Sequence, residues 1–167
     1  MASILHASDF HFGAKYKNYP PSYRELLEDY QKQCLTKLID TAVEKEVDAI
    51  VFAGDFFDEN NPKESLVHFV ENELTKLEEK GIKFILALGN HDYAFDQKRL
   101  ESPSLVILPS DRMDSITFSQ WTLYGISHQL LWDKRRPATL FEKLDEGFSI
   151  GLFHSVLGGE REDYLPI

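Results

Sequence analysis

The sequence predicts an α/β domain over residues 1–167, with mixed sheets in layers flanked by helices. Three observations point there. Strand-length apolar runs alternate with amphipathic helical stretches through the first half. Short strand candidates separated by turns fill the second half. Polar clusters stand directly after apolar runs, where an open α/β sheet places its ligands.

The elements follow in order. Ile4 to Ser8 is a short apolar run bounded by polar residues and reads as a buried strand. From about Ser22 to Lys45, apolar residues fall at Leu27, Tyr30, Cys34, Leu38 and Ala42, a spacing that sets them on one helical face. Asp48 to Ala53 is a second strand. Pro62 suits the first turn of a second helix, whose inward stripe is Leu66, Val70, Leu74 and Leu77, and Gly81 stops it. Lys83 to Leu88 is a third strand. This succession predicts parallel strands joined by right-handed crossovers. Ser104 to Leu108, Ser115 to Phe118 and Trp121 to Ile126 are further strands. A helix is expected around Ala138 to Leu144, then a strand from Phe148 to Phe153.

The 167 residues suit one domain with a real core, and no internal repeat or low-complexity tract divides them. A formal charge of -10, from 28 acidic against 18 basic residues, argues against a nucleic-acid surface unless some carboxylates hold cations. The single Cys34 cannot form an internal disulfide and reads as a small core residue in a reducing compartment. No signal peptide or membrane span is visible, so a cytoplasmic protein is expected.

Four clusters carry chemistry: Asp9-Phe10-His11, Gly54-Asp55-Phe56-Phe57-Asp58, Gly89-Asn90-His91-Asp92, and His154 at the end of a strand. Carboxylates, imidazoles and an amide oxygen, with no thiolate, suit Mn²⁺, Fe²⁺ or Zn²⁺. Two such ions can clamp both the attacking and the leaving oxygen of a phosphoryl displacement.

Together these motifs resemble the calcineurin-like metallophosphoesterase superfamily, whose signature runs D-x-H, G-D-x-x-D, G-N-H-D/E, a lone His and then G-H-x-H. The resemblance covers Asp9 to His154. It implies a layered metallophosphoesterase-type fold and two divalent metal ions, foremost Mn²⁺. Asp9 and His11 would bind the first ion, Asp55 would bridge, and Asn90 and His154 would bind the second. His91 would be catalytic at the phosphoryl group, with Asp92 orienting it. The entry Ile4 to Gly13, the run Val47 to Asp58, Glu59 in place of an Arg, and Asp92 in place of a Glu are similar to the SbcD-type DNA double-strand-break repair exonucleases rather than to the protein phosphatases. That subgroup implies DNA as substrate, an SMC-like ABC ATPase partner and a homodimer, with no membrane.

The 13 residues after His154 contain no histidine, so the G-H-x-H motif is absent and the chain reads as a domain truncated at its C-terminus. A phosphatase or cyclic-nucleotide phosphodiesterase, and a non-catalytic fragment acting as an interaction module, are the alternatives. Among the other residues, His6 reads as a core histidine, His68 as solvent-facing, and His128 as a loop residue. Asp58 reads as an Asx-turn holding the loop or as a metal-site neighbour, and Asp92 equally as a helix N-cap. Asp133 to Arg136 is the most basic cluster and reads as a solvated loop, or, if it faces the metal cleft, as a contact to a nucleic-acid backbone. Tyr16, Tyr19 and Tyr23, with Lys15 and Lys17, form a loop able to stack on bases or to pack at a helix start.

Overall fold

The computed structural model describes residues 3–141 and 147–155. Strand β1 (Ile4–Ala7), helix α1 (Pro21–Lys45), strand β2 (Ala49–Ala53), helix α2 (Glu64–Glu78) and strand β3 (Lys83–Ala87) succeed one another as the alternation requires. Strand β4 (Leu105–Ile107) follows a short 3₁₀ turn and completes a parallel sheet in the order β1-β2-β3-β4. Strands β5 (Asp114–Thr117), β6 (Trp121–Gly125) and β7 (Phe148–Leu152) form a second sheet, with β5–β6 antiparallel and β6–β7 parallel.

Three layers result, and the side-chain alternation of β2 and β3 builds them. Ile50, Phe52, Phe84 and Leu86 point to one face and bury against α1 and α2. Ala49, Val51, Ile85 and Ala87 point to the other and bury against Leu108, Trp121, Leu123 and Leu152 of the second sheet. Each fully buried large apolar side chain contributes about 1.5–3 kcal/mol. The central strands are therefore apolar on both faces, which is why they read as continuous hydrophobic runs.

Several expectations need correction. Helix α1 turns Leu35, Ile39 and Ala42 inward, whereas Tyr30 and Cys34 are exposed. At 25 residues, or about 37 Å at 1.5 Å per residue, α1 is longer than the strands, and its fully buried residues all lie in its C-terminal half. His6 is exposed, because β1 is an edge strand. The helix expected at 138–144 is a short 3₁₀ turn at Pro137–Leu140, and residues 142–146 lie outside the described residues. Gly81 stops α2 as expected: at φ +67 it lets the Ile82 N–H reach back to the Leu77 carbonyl. Among the described residues no helix is long and apolar enough to cross a membrane.

Candidate metal centre

The loops after β1 and β2 continue side by side beyond their strands. The N–H groups of Asp9, His11 and Phe12 donate to the carbonyls of Gly54, Asp55 and Phe56 at 2.9–3.0 Å. Within these loops polar residues alternate with phenylalanines. Phe10, Phe12, Phe56 and Phe57 plunge into the helix-side core and pack edge-to-face on one another and on Phe52. Asp9, His11 and Asp55 are left to point the other way. All three hold left-handed backbone, at φ 59, 49 and 53, a conformation rare outside glycine and concentrated at functional sites.

The side chains converge on Asp55. Its Oδ1 accepts the His91 backbone N–H at 3.0 Å, and its Oδ2 faces His154 Nε2 at 3.3 Å and His11 Nε2 at 3.6 Å. Two groups of potential ligand atoms result, His11–Asp55–His91 and Asp9–Asp55–His154, with the atoms of each within 4.8 Å of one another. Asp9 thus sits with His154, and His91 with His11. Asn90 is buried in the same loop as His91, and its Oδ1 has no hydrogen-bond partner among the described residues. An orphaned carbonyl oxygen there is costly unless a ligand takes it.

Both histidines facing Asp55 are oriented from behind. His154 Nδ1 lies 2.8 Å from the Ala53 carbonyl, and His11 Nδ1 lies 3.1 Å from Asp58 Oδ1. An acceptor at Nδ1 fixes the N–H there and leaves Nε2 as the lone-pair donor, as in metal-binding histidines. Burial pushes the Asp55 carboxyl up, but the hydrogen bond and charge of His154 outweigh it and hold it below its ordinary value. Burial lowers His154, and the Asp55 bond more than reverses this.

Two partners need restating. Asp58 is not merely a turn residue: its carboxylate holds His11, and its backbone carbonyl lies 3.2 Å from His91 Nδ1. Asp92 neither caps a helix nor touches the His91 ring. Fully buried, it accepts the N–H groups of Phe56, Phe57 and Gly89 at 2.7–3.0 Å. Burial raises its carboxyl to about 6, against the pull of those donors. His128, read as a loop residue, is buried, with Nε2 3.2 Å from the His154 carbonyl and its N–H on the Leu88 carbonyl. Gln31 of α1 anchors the Phe10 and His11 carbonyls. Asp58 and Asp92 had a sequence signal, their places in G-D-x-x-D and G-N-H-D, whereas Gln31 and the contact of His128 with His154 had none.

Glycines give this packing room. A Cβ on Gly54, at φ +82, would fall into the His154 ring, and one on Gly89 would strike Asp55. The donor set of carboxylates, imidazoles and an amide oxygen, with the buried unpaired Asn90 Oδ1, fits divalent cations.

Strand-end carboxylates and imidazoles on a three-layer α/β fold define the class as a metallophosphoesterase-type domain. The chain belongs to the calcineurin-like phosphoesterase family, which it matches over residues 2–159. It is 33% identical over 162 residues to the DNA double-strand break repair protein Mre11 of Sulfurisphaera tokodaii, covering 92% of this chain and 41% of that protein. It is 33% identical over 89 residues to the D component of the nuclease SbcCD of Escherichia coli K12, covering 53% of this chain and 21% of that one. A metallophosphoesterase of Bacillus subtilis, YhaO, is 27% identical over 177 residues, covering 98% of this chain and 43% of that protein. The chain spans less than half the length of these relatives.

Proposed function

We propose that this chain forms the metal-holding part of a DNA phosphodiesterase of double-strand break repair, with Asp9, His11, Asp55, Asn90 and His154 as ligands of two divalent ions, foremost Mn²⁺. The observation that carries this reading is the placement of Asp55 Oδ2 between the Nε2 atoms of His11 and His154. Relatives named for DNA repair and for nuclease activity support the substrate class. An SMC-like ABC ATPase partner, a homodimer, a cytoplasmic location and an incomplete domain over 1–167 belong to the same proposal, on the strength of the resemblance.

When bound, two divalent ions would polarise the phosphoryl oxygens and lower the pKa of the attacking water. The chain's own residues do the rest. Asp55 fixes the spacing of the two ligand groups, because its Oδ1 is tied to the His91 N–H while Oδ2 faces both histidines. His91, partly exposed beside His11, gives a proton to the leaving oxygen as the P–O bond breaks. Asp92 is a positioning residue that holds the two loops in register.

A cavity of about 500 Å³ beside Phe12 and Gly13 supports a polyanionic substrate. Lys15, Lys17, Arg24, Lys32 and Lys63 line it against only Glu28 and Glu59, on a chain of net charge -10. The test is Mn²⁺-dependent hydrolysis by the complete protein of double-stranded DNA, bis(p-nitrophenyl) phosphate and p-nitrophenyl phosphate. Cleavage of DNA and the diester is expected. Hydrolysis of the monoester alone overturns the nuclease reading in favour of a phosphatase.

A further inference from the structure

The basic cluster at Asp133–Arg136 does not form the solvated charge run that its composition suggests. Asp133 is buried and turned back into its own loop. It accepts the Gln129 N–H at 2.9 Å, the Arg135 N–H at 3.1 Å and the Arg135 guanidinium. Arg135 also donates to the carbonyls of Ser110 at 2.6 Å and Ser127 at 2.9 Å. The one acid and one of the three cations are therefore consumed in pinning the base of the loop.

What remains outside is of one kind. Leu130, Leu131 and Trp132 are 59%, 43% and 60% exposed at the tip. Lys134 and Arg136 are beside them, and neither has an ion-pair partner among the described residues. The segment 130–136 thus presents an aromatic ring, two aliphatic side chains and two cations, with no exposed carboxylate, on a strongly acidic chain. Contiguous exposed apolar side chains rimmed by polar groups mark interaction sites. Its location is fixed by His128, two residues before the tip, which lies against His154.

We propose that this pinned loop is a contact site for single-stranded nucleic acid at the His154 side of the metal centre, where Trp132 stacks on an unpaired base and Lys134 and Arg136 meet the flanking phosphates. A π-face flanked by cations is the chemistry that grips a strand without reading its sequence. Pre-ordering by Asp133 and Arg135 reduces the entropy lost on binding. The inference rests on the nucleic-acid reading above and sharpens it, because a stacking tip needs a frayed or single-stranded nucleotide rather than an intact duplex.

The chain supplies its own reporter. Its two tryptophans are Trp132, at the tip, and Trp121, which is 3% exposed and stacked on Phe118. The experiment titrates the protein, in EDTA to prevent cleavage, with oligodeoxythymidylate, with blunt duplex DNA and with inorganic phosphate. It follows tryptophan emission and the anisotropy of a labelled oligonucleotide. The single strand should quench the emission, and phosphate should not. Trp132→Ala should weaken single-strand binding about tenfold, Trp132→Phe should restore it, and Lys134→Ser with Arg136→Ser should weaken it and flatten its salt dependence. Equal binding by wild type and Trp132→Ala overturns this inference alone. Absence of any oligonucleotide binding by a protein that still hydrolyses bis(p-nitrophenyl) phosphate overturns the nucleic-acid reading with it. Emission that shifts with protein concentration alone assigns the tip to self-association and also overturns the proposal.

Discussion

Asp55 and Asp92 fasten each other's loops. Asp55, after β2, accepts the N–H of His91 at 3.0 Å, and Asp92, after β3, accepts the N–H groups of Phe56 and Phe57 at 2.9 and 3.0 Å. One carboxylate faces the ligand cluster and the other lies buried beneath it. Asp92→Asn replaces one accepting oxygen by an N–H₂ group and leaves at least one buried donor unpaired, at a cost of about 1–3 kcal/mol. Urea unfolding should show that loss, and Mn²⁺ affinity should fall with it. An Asn variant as stable as wild type would show that the reciprocal tie is dispensable.

Gly54 and Gly81 both adopt positive φ, and they should respond differently to Ala. At Gly81 a Cβ meets nothing within 4 Å, so the substitution costs about 1 kcal/mol of backbone strain and leaves metal binding unchanged. At Gly54 the Cβ enters the His154 ring, so strain adds to overpacking for about 2–4 kcal/mol. Metal affinity should drop as well. Parallel denaturation curves and metal titrations of the two variants measure the contrast.

Asp58 holds His11 from behind. Asp58→Ala should reduce Mn²⁺ affinity about 10–100-fold, the usual effect of removing a partner that orients a metal-binding histidine. Calorimetric titration tests this, and a change below twofold would remove Asp58 from the site.

His91→Ala should retain Mn²⁺ binding while losing about 10²–10⁴-fold in turnover, the range for a positioned proton donor. Asp55→Ala should lose both. Loss of metal in the His91 variant would mark it as a ligand instead, consistent with its place beside His11 and Asp55.

The Asp133 carboxyl gives a pH signature. Burial raises it, but hydrogen bonds from the Arg135 side chain and from the N–H groups of Gln129 and Arg135 outweigh that and hold it below its ordinary value. Its contribution to stability is fully present above the unfolded carboxyl pKa of about 3.9 and disappears as pH falls through the lower folded value. Wild type should therefore lose more stability than Asp133→Asn between pH 6 and acid. Equal slopes would show that the Asp133–Arg135 pair contributes nothing.

The sheet was legible because β2 and β3 are apolar on both faces and their helices carry stop signals such as Gly81. The phase of α1 was not, because spacing reports a stripe without reporting which side of it meets the sheet. Tyr30 and Cys34 lie off the buried stripe, whose fully buried residues begin at Leu35. At the metal centre the candidate ligands were visible as motifs after strands. The roles of Asp58, Asp92 and His128 were not, since a carboxylate or imidazole that bonds to groups 26 to 47 positions away leaves no local pattern.

The left-handed backbone at Asp9, His11 and Asp55 narrows which substitutions the protein can survive at these points. On the proposed reading, a residue there must both chelate and tolerate positive φ. The shorter polar side chains Asp, Asn and His are the ones that do. Glu, one methylene longer and otherwise an adequate donor, fails on the second count. The mutational routes out of this site are therefore few, and most of them change coordination chemistry and chain geometry in a single step.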